Sequence, residues 1–211
     1  KFTEALHTDF PSLRYQVVDG VEVGALSKGH DYDIVTNIFS KMSEQFLDSR
    51  PDVGEDYVKF VGLVGNKRYT KWIKRKYIRQ HDNLDYYKVI LPKSNGSGAI
   101  GEVLSTPLLG EPLLGHTQSF ISIGRFATEA EAANALKYVK SKFARTMLGI
   151  LKVTQHNPPE KWKYVPLQDF TASSDIDWSQ PVAGIDQQLY RKYGLSDEEI
   201  SFIETHVKEM A

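Results

Sequence analysis

The chain has 211 residues, with 26 Lys and Arg, 27 Asp and Glu and no cysteine. This length is enough to bury a core, and 41% hydrophobic with 25% charged residues excludes a disordered or fibrous chain. The lack of cysteine excludes disulfides and thiolate metal sites. Because the sequence has neither a run of about 18 apolar residues nor a leading apolar segment, we expect a cytoplasmic protein without membrane contact.

The charges are segregated along the chain. Residues 65–80 contain no carboxylate and seven bases, which are Lys67, Arg68, Lys71, Lys74, Arg75, Lys76 and Arg79. From residue 169 to the end, nine acids face three bases. This asymmetry predicts a polyanion-binding face on the first segment and a different kind of contact on the second.

Turn and periodicity patterns predict two hairpins and a helix in the first half of the chain. Asp19-Gly20 separates two short apolar runs, and Gly65-Asn66 separates strands predicted at residues 57–64 and 68–77. Both dipeptides are typical of two-residue hairpin turns. Apolar side chains at near-helical spacing predict one amphipathic helix over residues 34–47.

The second half is predicted to contain more helix. Thr128 begins a capping box that opens one long amphipathic helix running to residue 150. A second capping box at Ser196 opens the last helix, and Gly194 ends the helix before it. Strands are predicted at residues 86–91, 117–123 and 163–170. The order of elements predicts an α+β fold with a mixed or antiparallel sheet, one long helix and a C-terminal helical pair.

Two blocks of sequence resemble a known family. They are the run from residue 91 to 170, which includes GRFATEAEAANALKYVKSKFARTMLGILKVTQHNPPEKWKYVPLQDF, and the ending LYRKYGLSDEEISFIE. Both are similar to the carboxy-terminal part of single-chain type II restriction-modification enzymes. In these enzymes a nuclease, an adenine-specific methyltransferase and a target recognition domain are fused. The first residue, Lys1, also indicates a fragment of a longer protein.

The resemblance implies a division of labour. This segment would be the target recognition domain, which binds double-stranded DNA, with an N-terminal segment at 1–56, a recognition core at 57–172 and a helical tail at 173–211. It would hold no cofactor and no catalytic site. The methyltransferase and nuclease domains of the same chain, outside this segment, would bind S-adenosylmethionine and Mg²⁺ and carry out methylation and cleavage.

Three groups of side chains are candidates for DNA contact. Phosphate contacts are predicted on the basic strand, at Lys67, Arg68, Lys71, Lys74, Arg75 and Arg79. Base-edge contacts are predicted at Lys93, Ser94, Asn95, His116 and Gln118. Further phosphate contacts are predicted near the end of the long helix, at Arg145, Lys152 and Gln155. The competing interpretations are an edge strand guarded by cations, a simple connecting loop and a structural histidine.

Catalytic motifs are incomplete. Asn157-Pro158-Pro159-Glu160 resembles the adenine methyltransferase motif but has Glu where the aromatic residue belongs. Pro51-Asp52 is followed by Glu55-Asp56-Tyr57-Val58-Lys59, whose spacing is wrong for a metal-dependent nuclease site. Two alternatives stay open: a nuclease or methyltransferase in its own right, and a protein-interaction module that docks on catalytic domains.

Overall fold

The computed structural model describes residues 1–94, 100–150 and 159–210. The fold is α+β, as predicted, and the chain forms two compact units. Unit 1 contains Lys1–Asp85 and Pro112–Ser119, and unit 2 contains Tyr86–Glu111 and Phe120–Ala211. These units divide the chain at other positions than the predicted boundaries at 56/57 and 172/173.

In the described residues, all the strands come before residue 127 and most of the helical residues come after it. The helices are α1 (Glu4–Asp9), α2 (Ile38–Lys41), α3 (Glu129–Lys140), α4 (Lys142–Ile150), α5 (Pro159–Trp162), α6 (Val182–Tyr193) and α7 (Asp197–His206). The strands are β1 (Gln16–Val18), β2 (Val21–Val23), β3 (Tyr57–Val64), β4 (Lys67–Lys74), β5 (Tyr87–Pro92), β6 (Leu108–Gly110), β7 (Leu114–His116) and β8 (Phe120–Phe126). Two 3₁₀ turns, Pro11–Leu13 and Arg75–Tyr77, complete unit 1.

Unit 1 is built on a three-stranded sheet in the order β4-β3-β7. Strand β3 pairs antiparallel with β4 and parallel with β7. Val64 lies opposite Lys67, so Gly65 and Asn66 form a two-residue turn with φ of 53° and 62°. Positive φ at both positions is the signature of a type I′ turn, which confirms the predicted hairpin. The hairpin predicted at Asp19-Gly20 is also present, as β1 and β2.

One face of this sheet covers the core of unit 1. Val58, Phe60 and Ile73 pack there with the aromatic side chains of Phe39 and Phe46. Gly62 lies on the same face, where a Cβ would come within 2.6 Å of the Phe39 ring. The absence of a side chain at Gly62 therefore allows the close approach of the residues beneath the hairpin.

The helix predicted over residues 34–47 is wrong in its extent. Only Ile38–Lys41 is helical, although Ile34 and Met42 are buried as the pattern required. The Ile34 carbonyl accepts a hydrogen bond from the Gln118 amide, and Leu47 exchanges two backbone hydrogen bonds of 2.8 Å with Trp72. These sheet-type bonds use backbone groups that a continuous helix would have needed.

Unit 2 combines an antiparallel sheet, in the order β6-β5-β8, with four longer helices. Its core includes side chains from the sheet and from helices α3, α4, α6 and α7, among them Val89, Leu91, Val139, Phe143, Ile185 and Ile203. Strand β8 differs from the strand predicted at residues 117–123. It begins at Phe120 and continues through Gly124, whose φ is 86°.

The predicted long helix is two helices, because it breaks at Ser141. Thr128 caps α3 as predicted, but the Glu131 carboxylate accepts from Ala127 N and not from Thr128 N. Ser141 adopts an extended ψ of 147°. The N-terminus of α4 is then capped twice, by Ser141 Oγ and by the buried carboxylate of Asp186.

Residues 163–170 form no strand. Their backbone carbonyls accept hydrogen bonds from side chains instead: Tyr138 donates to the Pro166 carbonyl, Trp178 to that of Asp169 and Asn134 to that of Phe170. The strand predicted at 163–170 is therefore wrong. Phe170 lies in the core because its ring packs against other aromatic rings, without strand pairing.

The two C-terminal helices are as predicted. Gly194 ends α6 in the left-handed conformation, and Ser196 and Glu199 form the complete capping box of α7. Among the described residues, no helix has the length and apolarity to cross a bilayer.

Asp186 makes the stability of unit 2 depend on pH. Burial raises the pKa of its carboxyl from 3.8 to about 6. The charge of Glu204 adds to this rise, whereas the hydrogen bonds that Asp186 accepts from two backbone N–H groups oppose it. Between these two values the folded state holds more protons than the unfolded state. Stability is therefore highest below pH 4 for this group, and on the order of 3 kcal/mol is lost as pH rises through about 6.

We expect Asp186→Asn to reduce the dependence of the free energy of unfolding on pH in this range. Urea unfolding between pH 4 and 7 measures it, with Glu198→Gln, an exposed carboxyl in the first turn of α7, as the control. An Asp186→Asn protein with the same dependence on pH as the parent would contradict the assignment.

Candidate nucleic-acid interface

The basic strand predicted from sequence lies at the edge of the unit 1 sheet. In β4, Lys67, Tyr69 and Lys71 share one face, and Arg68, Thr70, Trp72 and Lys74 share the other. Exposure increases toward the turn: Ile73 is buried, whereas Lys67, Tyr69 and Thr70 are exposed. The strand is thus anchored at its Lys74 end and enters solvent at its Lys67 end.

Three lysines of this segment form ion pairs. Lys71 lies 2.7 Å from Asp48, Lys74 lies 2.6 Å from Glu55, and Lys76 lies 2.6 Å from Asp9. The hydrogen bond from Lys74 to Glu55 raises the pKa of Lys74. The seven bases and these three acids leave four positive charges. Exposed pairs are worth at most about 1 kcal/mol, so a phosphate can compete with each carboxylate.

The arginines differ in their availability. Arg75 donates hydrogen bonds to the Ile78 carbonyl and to the Gln80 side chain, so its guanidinium is occupied by neighbouring residues of the same segment. Arg79 is exposed and lies over the Tyr32 ring at 5.9 Å. Arg68 is half-buried, and burial lowers the pKa of its guanidinium. Arg79 is accordingly the arginine of this segment most open to a phosphate.

The segment from His116 to Gln118 lies on the other side of β3. His116 pairs with Val61 in the parallel ladder, and the Thr117 amide donates to the Val61 carbonyl. His116 is half-buried with Nδ1 3.0 Å from the Thr117 carbonyl, whereas Gln118 is exposed. The basic strand β4 and the segment that begins at His116 therefore flank β3 in one three-stranded sheet. Their spacing in the sequence did not predict this.

The other predicted contact residues belong to unit 2 or lie outside the described residues. Lys93 and Ser94 are exposed just after β5. Asn95, Lys152 and Gln155 lie outside the described residues, as do the first two residues of the Asn157-Pro158-Pro159-Glu160 motif. Pro159 and Glu160 begin the short helix α5.

The assignment of Arg145 to phosphate contact is wrong. Arg145 is 1% exposed, and its guanidinium donates only to backbone carbonyls, which are those of Lys140, Ser141, Gly101, Glu102 and Lys208. Burial lowers the pKa of this group. The side chain points into unit 2 because α4 turns this face toward residues 101–102 and the end of the chain. Arg145 is a structural residue.

No match was found among protein-family models, curated proteins or solved structures. In the part of the chain that the structure describes, no group of three or more His, Cys, Asp or Glu is arranged to hold a metal ion.

The structural role of Arg145 can be tested by Arg145→Met, which removes the hydrogen bonds from the guanidinium to five backbone carbonyls. We expect a loss of about 3 kcal/mol or more in the free energy of unfolding, measured by urea titration. Arg191→Met on the exposed side of α6 removes the same charge and should change it by less than about 0.5 kcal/mol. If both substitutions changed the free energy of unfolding equally, the structural role of Arg145 would be refuted.

Proposed function

We propose that this chain is a sequence-specific binding module for double-stranded DNA. One observation carries the proposal: residues 65–80 hold seven bases and no carboxylate, and four of these bases lie on β4, in the same sheet as His116, whose edge strand β7 ends just before the exposed Gln118. Cations neutralise phosphates and release counterions, which supplies affinity, while polar side chains beside them contact base edges, which supplies specificity.

The finer proposal is that the module serves as the target recognition domain of a bacterial type II restriction-modification enzyme. Its own residues catalyse nothing, and it directs adenine methylation and cleavage by domains of the same chain that lie outside this segment. S-adenosylmethionine and Mg²⁺ would be bound by those domains, and the protein would work in the cytoplasm. The sequence resemblance supports this, together with the basic sheet edge.

A second candidate function is docking on another protein domain. Strands β1 and β2 form a two-stranded hairpin in which all six positions are exposed, including Val17, Val18, Val21 and Val23. An isolated two-stranded hairpin is marginally stable in water, and exposed valines are typical of a protein contact. Between Tyr15 and Gly24 this hairpin has two acids and no base, so it suits a protein better than a phosphate backbone.

The proposal predicts that the full chain binds duplex DNA with a strong dependence on salt. Log affinity should fall linearly with log salt between about 50 and 200 mM, with a slope of about −0.9 for each phosphate contact. Replacing Lys67, Lys71 and Lys74 with Ala should reduce that slope by about 2 to 3. Fluorescence anisotropy with a labelled duplex measures both.

The matched control removes three lysines from unit 2, at positions Lys161, Lys163 and Lys192. It changes the net charge equally and should leave the slope within one of the parent. If both triple variants weaken binding equally, only net charge matters and the sheet edge is not the interface.

Removing the acidic partners should act in the opposite direction. Asp48→Asn with Glu55→Gln frees Lys71 and Lys74 from their ion pairs and removes two negative charges beside the phosphates. We expect several-fold tighter DNA binding at low salt and a steeper salt slope. Weaker binding by this double variant would mean that the ion pairs hold the lysines in place for contact, contrary to the competition proposed here.

A further inference from the structure

We propose that the tip of the β3–β4 hairpin, residues 63–70, enters the major groove and that Asn66 contacts a base edge there. This inference rests on the proposed DNA-binding function and names the base-contacting element within it. It places sequence discrimination on the hairpin in unit 1, in addition to any contact made by Gln118, which follows the neighbouring strand β7.

The turn and the first residues of β4 are exposed to solvent. Gly65, Asn66, Lys67, Tyr69 and Thr70 are all exposed, with 45% of Tyr69 accessible, while Val64 at the base of the turn is half-buried. Exposed residues lie on both faces of β4, because Lys67 and Tyr69 alternate with Thr70. Both faces of β4 therefore present exposed side chains between Lys67 and Thr70, whereas Leu63 and Val64 of β3 are half-buried and Val61 and Gly62 are buried.

The dimensions of this ribbon suit the major groove. The β4 residues from Lys67 to Thr70 extend about 13 Å at roughly 3.3 Å for each residue, and the two strands lie about 5 Å apart. The major groove of B-DNA is about 12 Å wide and about 8.5 Å deep, and it admits a two-stranded ribbon. The minor groove, at about 6 Å, is too narrow for the ribbon with its side chains.

The chemistry at the tip matches base edges in that groove. Asn66 presents an amide with both a donor and an acceptor, which is the pair required by N7 and the N6 amino group of adenine. Among the described residues the Asn66 side chain has no hydrogen-bond partner. Lys67 follows immediately and is placed for a phosphate of the groove wall, while no carboxylate occurs between Gly65 and Gln80.

The base of the hairpin holds this tip in a defined position. Val58, Phe60 and Val61 of β3 are buried, and Gly62 leaves room for Phe39 and Thr117 directly beneath the strand. Parallel pairing with β7 fixes the second edge of β3. The tip is therefore presented on a rigid element, which is the condition for discrimination between bases.

The test selects preferred sequences from a randomised duplex library with the full chain and with Asn66→Gly. Glycine keeps the positive φ that the turn requires and removes only the side chain. The expected result is loss of preference at one adenine position, by about 5- to 150-fold, with an unchanged salt slope. Asn66→Asp, which keeps the side-chain size but cannot donate to N7, should lose the same preference.

The matched control is Asp19→Gly, which alters the other two-residue turn of positive φ in unit 1 and should leave the selected sequence unchanged. If both Asn66 variants keep the parent preference at every position, the tip is not the base-contacting element, although DNA binding still stands. If the parent chain selects no sequence and shows no salt-dependent binding, the proposed function itself fails together with this inference.

Discussion

Unit 1 depends on the hydrogen bonding of β3 along both of its edges. One partner, β4, is next to it in sequence, but the other, β7, arrives only after the chain has contributed Tyr86–Glu111 to unit 2. The chain then returns to unit 2 at Phe120. The sheet of unit 1 therefore takes its third strand, residues 114–116, from beyond the segment that the chain contributes to unit 2.

Unit 2 depends on buried polar groups in a comparable way. Asp186 of α6 caps α4, while Arg145 of α4 binds carbonyls near both ends of the unit's sequence. Glu204 of α7 completes the group through Lys142 and Tyr190. These hydrogen bonds connect α4, α6 and α7, and removing one partner would leave a buried polar group unpaired at a cost in stability.

The sequence was sufficient wherever a few neighbouring residues determine the conformation. The turns at Asp19-Gly20 and Gly65-Asn66, the end of α6 at Gly194 and the capping box at Ser196 all depend on local chemistry. The incorrect predictions concern segments whose hydrogen-bond partners are distant in sequence. Leu47 pairs with Trp72 where a longer α2 was predicted, and Asp186 accepts a hydrogen bond from the start of α4, next to the helix break at Ser141. For the candidate site, sequence identified the basic segment but not the burial of Arg145 or the pairing of β4 and β7 with opposite edges of β3. Both depend on tertiary contacts.

The separation of the β3–β4 hairpin into a buried base and an exposed tip has an evolutionary consequence. Residues at the tip contribute little to the core, so most substitutions there leave the folded protein about equally abundant. Selection for folding restrains the base, around Gly62 and Phe60, and leaves the tip free to vary. The side chains at the hairpin tip can therefore be exchanged in a few mutational steps without rebuilding the sheet that carries them.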